Sequence, residues 1–168
     1  MRTLLLVLAL MLQGLGSSSD AETHLSYTKA QIQNAIYKTA KRKRLNPAIA
    51  LALVEVESTW NPNKVRVEPK GHTVSVGLFQ MYYPTAKDMG YKGTPEGLKN
   101  PETNIQLGFK HLAKCQRRYG NDVRRVACCH NAGFYTRESV CKNDGWVIHY
   151  QDKVEKAYTE YKNFKRAI

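Results

Sequence analysis

The chain has 168 residues, 42% of them hydrophobic, and a formal net charge of +12. That length suits one domain around a single core. A balance this basic favours polyanions, nucleic acid among them.

The start, Met1-Arg2-Thr3, is a short positive region followed by the apolar run Leu4 to Leu12 and then Gly14, Gly16 and Ser17-Ser18-Ser19. The apolar run is short for a bilayer span, and the small residues suit a signal peptidase. Residues 1–19 therefore read as a secretory signal and 20–168 as the mature domain, with a retained signal-anchor as the competing reading. Export to the periplasm or medium argues against a nucleic-acid partner, and no nucleic-acid motif occurs.

Thr28 to Lys41 carries Ile32 and Ile36 on one stripe, predicting an amphipathic helix that ends in the basic run Lys41-Arg42-Lys43-Arg44. Asn46-Pro47 caps and opens an apolar helix ending near Ser58, and Asn61-Pro62-Asn63 stops it. Lys64 to Ser75 predicts a small hairpin or an irregular flap. Pro84 to Met89 predicts a short helix, and Tyr91 to Lys99 a loop. Asn100-Pro101 repeats the cap-and-proline signal ahead of Ile105, Phe109, Leu112 and Cys115 at helical spacing. Asn121 is expected to cap the next helix, which stops at Asn131-Ala132-Gly133. A polar loop containing Cys141 follows, and Asn143-Asp144-Gly145 opens a last helix with Trp146, Tyr150, Val154, Tyr158 and Tyr161. Helix signals dominate, so the class is mainly α.

Cys115, Cys128, Cys129 and Cys141 lack zinc-type spacing, and their even number fits an oxidising compartment. Two disulfides are expected. Adjacent Cys128 and Cys129 do not easily bridge each other, so one reaches Cys115 and the other Cys141, in either arrangement. No metal or other cofactor is expected.

Glu55 and Glu57 lie two apart on one helix and hence on nearly opposite faces, one toward a cleft and one toward solvent. Glu57 sits at the exit of the apolar helix, where burial disfavours the anion and favours a proton-carrying general acid. Ser58 has no Asp-His pair to activate it, which argues against a serine nucleophile. Tyr82-Tyr83 and Phe134-Tyr135 are candidates for stacking on sugars or for the core.

In order, Glu57-Ser58, Asn61-Pro62, Ser75-Val76-Gly77-Leu78-Phe79-Gln80, Pro84-Thr85-Ala86 and His130-Asn131-Ala132-Gly133 resemble the soluble lytic transglycosylase domain, over roughly Asn46 to Tyr158. The resemblance implies a lysozyme-like (goose-type/SLT) single domain that cleaves peptidoglycan glycan strands. It makes Glu57 the catalytic acid and places Gln80 beside the bound sugar. Asn131 matches the asparagine of a Tyr-Asn-x-Gly motif, and Tyr150 the tyrosine that points back at the glutamate. Ser75 joins these residues in orienting substrate, and Phe79, where methionine is usual, keeps the pocket dry. His130 replaces the motif's tyrosine.

The implied reaction forms 1,6-anhydroMurNAc without consuming water. A hydrolytic muramidase and a non-catalytic wall-binding or assembly protein are the alternatives. A monomer is expected, and a secretion or conjugation apparatus is a candidate partner.

Overall fold

A computed structural model describes residues 27–69 and 73–164; the leader, with its cleavage region, lies outside them. Helix α1 (Lys29–Arg42) starts in a capping box, Thr28 accepting from the Gln31 amide while the Gln31 side chain returns to the Thr28 backbone. Helix α2 (Pro47–Ser58) begins at the expected Asn46 cap, whose side chain accepts from the Ala48 and Ile49 amides. Every residue from Ala48 to Val54 is buried. A helix that is apolar all round belongs inside a protein, and α2 is sandwiched between α1 and the last helix.

The left-handed residues Thr59 and Trp60 turn the chain out of α2. A three-stranded antiparallel sheet follows, of β1 (Val65–Val67), β2 (Val74–Val76) and β3 (Met81–Tyr82), in the order β1-β2-β3. The flap is thus a hairpin with Arg66 opposite Ser75, and Ser75 lies opposite Tyr82 on the third strand. That third strand is too short to leave a periodic signal.

Helix α3 (Tyr83–Asp88) leads through a 3-10 turn at Glu96–Lys99, inside the expected loop, to α4 (Pro101–Tyr119), capped by Asn100. Helix α5 (Val123–Ala132) is capped by Asp122 and not by Asn121. The Asn121 side chain is instead occupied as the acceptor of Gln116 Nε2 at 2.9 Å. Cys141 lies on a short helix, α6 (Glu138–Asn143), where a loop was expected. Its disulfide to Cys128 ties that turn to α5, and a second one joins Cys115 on α4 to Cys129. The ambiguity left by the cysteine order is thereby resolved.

Helix α7 (Gly145–Tyr161) starts at Asp144 and packs on both α2 and α5. Val147, Val154 and Ala157 are its buried apolar residues, whereas Trp146 is 86% exposed and is not part of the core. The class is mainly α, as expected, with one small sheet beside the end of α2.

Candidate active site

Four elements meet where α2 ends. Its last turn presents Glu57, whose side chain is 13% exposed. The hydroxyl of Tyr150, from the middle of α7, donates to Glu57 Oε1 at 2.6 Å. From the end of α5, His130 brings Nε2 to 3.3 Å from the same oxygen while hydrogen-bonding the Phe79 carbonyl at 3.2 Å. Both neighbours crowd Oε1, and among the described residues Oε2 has no protein partner. Burial first, and then the Glu57 anion, push the Tyr150 hydroxyl well above the usual phenol range. It therefore stays protonated and remains a donor.

The fourth element is the sheet with its following loop. Lys64, just ahead of β1, sends Nζ to the Glu57 carbonyl at 2.6 Å, satisfying an orphan acceptor at the C-terminus of α2. The Lys64 carbonyl in turn accepts from the Gly77 amide at 2.8 Å and from Gln80 Nε2 at 3.0 Å. One lysine joins the acid's helix to the loop opposite.

The Gly77–Gln80 loop is held from beneath by Asn104 on α4. Its Oδ1 accepts from the Phe79 amide at 2.9 Å, and its Nδ2 donates to the Val76 and Leu98 carbonyls, each at 2.8 Å. Gly77 has φ +81°, and a Cβ there would stand 2.2 Å from Asn104 Nδ2, so both conformation and space require glycine. Gln80 is also left-handed, with φ 43°. Its Nε2 is spent on the Lys64 and Gly77 carbonyls, and its buried Oε1 has no partner among the described residues.

The remaining expected residues take distinct places. Phe79 is wholly buried against the Phe109 and His130 rings, so it supports the site from within and offers its carbonyl, not its ring. Ser75 is buried and donates its hydroxyl to Glu68, which also pairs with Arg66 at 3.0 Å. Asn131 is exposed beside His130 at the end of α5. Ser58 donates to the Val54 carbonyl at 3.1 Å, a supporting role.

Glu55 does not face open solvent. It accepts from Trp60 Nε1 and from Tyr161 at 2.8 Å, with Lys29 at 3.7 Å. Burial raises its pKa, but donation from Tyr161 and Trp60 and the Lys29 charge outweigh that and leave it below the usual carboxylate range. Glu55 is thus an anchor for α7, not a second acid at the cleft. Among the described residues, no group of three or more His, Cys, Asp or Glu side chains converges to hold a metal ion.

Comparison with known proteins matches residues 34–152 to the transglycosylase SLT domain. The chain belongs to the SLT domain family. The matched segment contains Glu57, Gln80, Asn131 and Tyr150. Among relatives, the membrane-bound lytic murein transglycosylase C of Actinobacillus pleuropneumoniae is 32% identical over 57% of this chain and 27% of its own. The endo-type membrane-bound lytic murein transglycosylase A of Enterobacter sp. is 30% identical over 63% and 56%. The soluble lytic murein transglycosylase of Escherichia coli K12 is 34% identical over 54% and 14%. Among solved structures, the 70 kDa soluble lytic transglycosylase SLT70 of Escherichia coli is similar over 78% of this chain and 21% of its own, with TM-score 0.49 and 26% identity. The chain spans between about one seventh and just over half of the length of these relatives.

This SLT domain also uses residues that the sequence did not single out. Asn104 and Lys64 build the frame of the site, and their only sequence signal is a polar residue inside or beside an apolar stretch; the sequence marks Glu55 and Tyr161 but not their pairing.

Proposed function

We propose that this chain is a peptidoglycan lytic transglycosylase that cleaves the MurNAc–GlcNAc β-1,4 bond and leaves a 1,6-anhydroMurNAc end. The observation that carries this reading is the asymmetry of Glu57: Tyr150 occupies Oε1, and Oε2 is left to deliver a proton. Glu57 protonates the glycosidic oxygen as the bond from that oxygen to the MurNAc anomeric carbon breaks. The carbonyl oxygen of the substrate's own N-acetyl group steadies the cationic carbon. The Glu57 carboxylate then takes the proton from the C6 hydroxyl, whose oxygen closes onto the anomeric carbon. Glu57 ends protonated again by the C6 hydroxyl proton, its first proton having left on the departing sugar's hydroxyl, and no water enters. Gln80 Oε1, buried and without a partner among the described residues, suits the N–H of the N-acetyl group once the side chain turns outward. Asn131, exposed beside His130, suits the same substituent from the other side.

A hydrolytic muramidase is the second reading, favoured by one observation. Glu68 is a carboxylate fixed by Ser75 and Arg66 on the face of the sheet that carries Ser75, and hydrolytic enzymes of this kind use two carboxyls. Digestion of purified sacculi separates the readings, because anhydro ends weigh one water less than reducing ends by mass spectrometry. Glu57→Gln is expected to lose between about a hundredfold and ten-thousandfold of the rate. Anhydro products from wild type and none from Glu57→Gln support the proposal. Reducing ends point to hydrolysis, and full activity in Glu57→Gln overturns both.

Export to the periplasm or medium, by the leader read in residues 1–19, belongs to the same proposal. Among the described residues no helix is long and apolar enough to cross a membrane.

A further inference from the structure

A large cavity lies beside the site, and Glu57 is not in its lining. It measures about 920 Å³ and lies between α3, α4 and the turn after α5. Its walls continue the two motifs that frame the acid: Thr85 and Met89 follow the Gln80 loop, and Gly133 to Thr136 follow Asn131. The floor is His111, whose ring centroid stands 5.3 Å from that of His130, the ring that abuts Glu57. Two imidazoles therefore separate this cavity from the acid.

The walls are cationic. Lys114 and Arg117 project from α4, are exposed, and have no ion-pair or hydrogen-bond partner among the described residues. Arg118 is committed to structure, donating to the Phe134 carbonyl at 2.6 Å and lying over the Phe134 ring. Asp88, at the end of α3, is the one carboxylate in the lining. Tyr135, 91% exposed, stands at the mouth against Phe134.

The glycan backbone gives this charge nothing to bind. N-acetyl sugars are neutral, and the lactyl group of MurNAc is neutral once amide-linked to its stem peptide. The free carboxylates of the substrate lie on that peptide, which hangs from the sugar whose bond Glu57 addresses. We propose that this cavity is a stem-peptide site, in which Lys114 and Arg117 bind the peptide carboxylates and Phe134 and Tyr135 cover its aliphatic parts. The inference rests on the peptidoglycan reading above and deepens it. Placing the two cations on α4, which carries Asn104 and His111, fixes them rigidly relative to the catalytic loop.

The test compares wild type with the double variant Lys114→Gln/Arg117→Gln on two substrates, peptide-bearing sacculi and amidase-stripped glycan chains. The expected result is a fall of about tenfold in the ratio of kcat/KM for peptide-bearing over peptide-free glycan. An unchanged ratio overturns the proposal, whether both activities fall together or neither falls. A direct arm titrates a free tetrapeptide stem into isotope-labelled protein and follows the backbone amides by NMR. Shifts confined to α4 and residues 133–136, and lost in the double variant, support the site. No saturable shift there overturns it. Displacement of the peptide by a short DNA duplex at equal or lower concentration would show a general polyanion surface, and would also overturn it. Should neither protein cleave either substrate, the transglycosylase reading fails while the titration still decides the pocket.

Discussion

The Tyr150 hydroxyl reaches across the domain to Glu57 Oε1 at 2.6 Å, joining residues 93 apart in sequence. It differentiates the two carboxylate oxygens before any substrate arrives. A hydrogen bond to a charged group contributes about 1.5–3 kcal/mol. On the proposed mechanism it matters most after the first step, when Glu57 would have lost its proton and would wait as an anion. Tyr150→Phe is therefore expected to lower kcat by about 10- to 100-fold with KM changed less than about threefold. Steady-state rates on sacculi, with a melting curve to confirm the fold, provide the check. A purely structural role would appear in the melting curve and leave kcat intact.

His130 stands where the resembled motif has a tyrosine, and its contacts bear on whether an imidazole can take that place. The ring is 5% exposed, and Nε2 faces two acceptors, the Phe79 carbonyl and Glu57 Oε1. A tyrosine hydroxyl is likewise a donor, so His130→Tyr is expected to keep activity within about fivefold. His130→Phe keeps an aromatic ring and removes the donor, leaving a buried carbonyl unpaired at a cost of about 1–3 kcal/mol. Thermal melts and sacculus digestion of the two variants side by side test this. Equal behaviour of tyrosine and phenylalanine would show that the donor is irrelevant.

The frame was legible wherever the signal is local. Asn46-Pro47 and Asn100-Pro101 each combine a side-chain cap with a residue preset for the first helical turn, and both helices begin there. Asn121 misled because Asp122 beside it is an equally good cap, and the Gln116 amide had already engaged the asparagine. Asn104 gave no warning at all. It sits inside an amphipathic helix, and its three partners come from residues 76, 79 and 98, which only the folded chain brings together. The same holds for Glu55, whose spacing from Glu57 points it away from the cleft but says nothing of Trp60 and Tyr161. Helical phase fixes a direction, and tertiary packing decides what lies there.

The two disulfides do different work. Cys128–Cys141 closes a span of 13 residues and holds α6, whereas Cys115–Cys129 closes one of 14 inside the core, next to His130. Loop closure of this length stabilises by about 3 kcal/mol for either bond. Cys128→Ser/Cys141→Ser is expected to lower the melting temperature while sparing kcat. Cys115→Ala/Cys129→Ala should lower both, because α5 then loses its tie to α4 and His130 loses its fixed place. The pair of measurements separates stability from site geometry, and identical loss of kcat in both variants would contradict the assignment.

His111 makes this fold sensitive to acid. Burial foremost, and next the His130 ring beside it, lower its pKa from 6.5 to about 3. The unfolded chain therefore binds a proton below about pH 6.5 that the folded chain refuses until about pH 3. Stability rises with pH wherever the unfolded state holds more protons, so here it falls on acidification across that window, by about 1.4 kcal/mol per pH unit. Between pH 6.5 and 4.5, wild type should lose about 2–3 kcal/mol more than His111→Gln, which has no such proton to gain. Urea unfolding of both proteins at matched ionic strength measures the difference. Parallel stability curves would mean that His111 is hydrated, and charges, in the folded protein, which would also remove the neutral floor from the cavity beside Glu57.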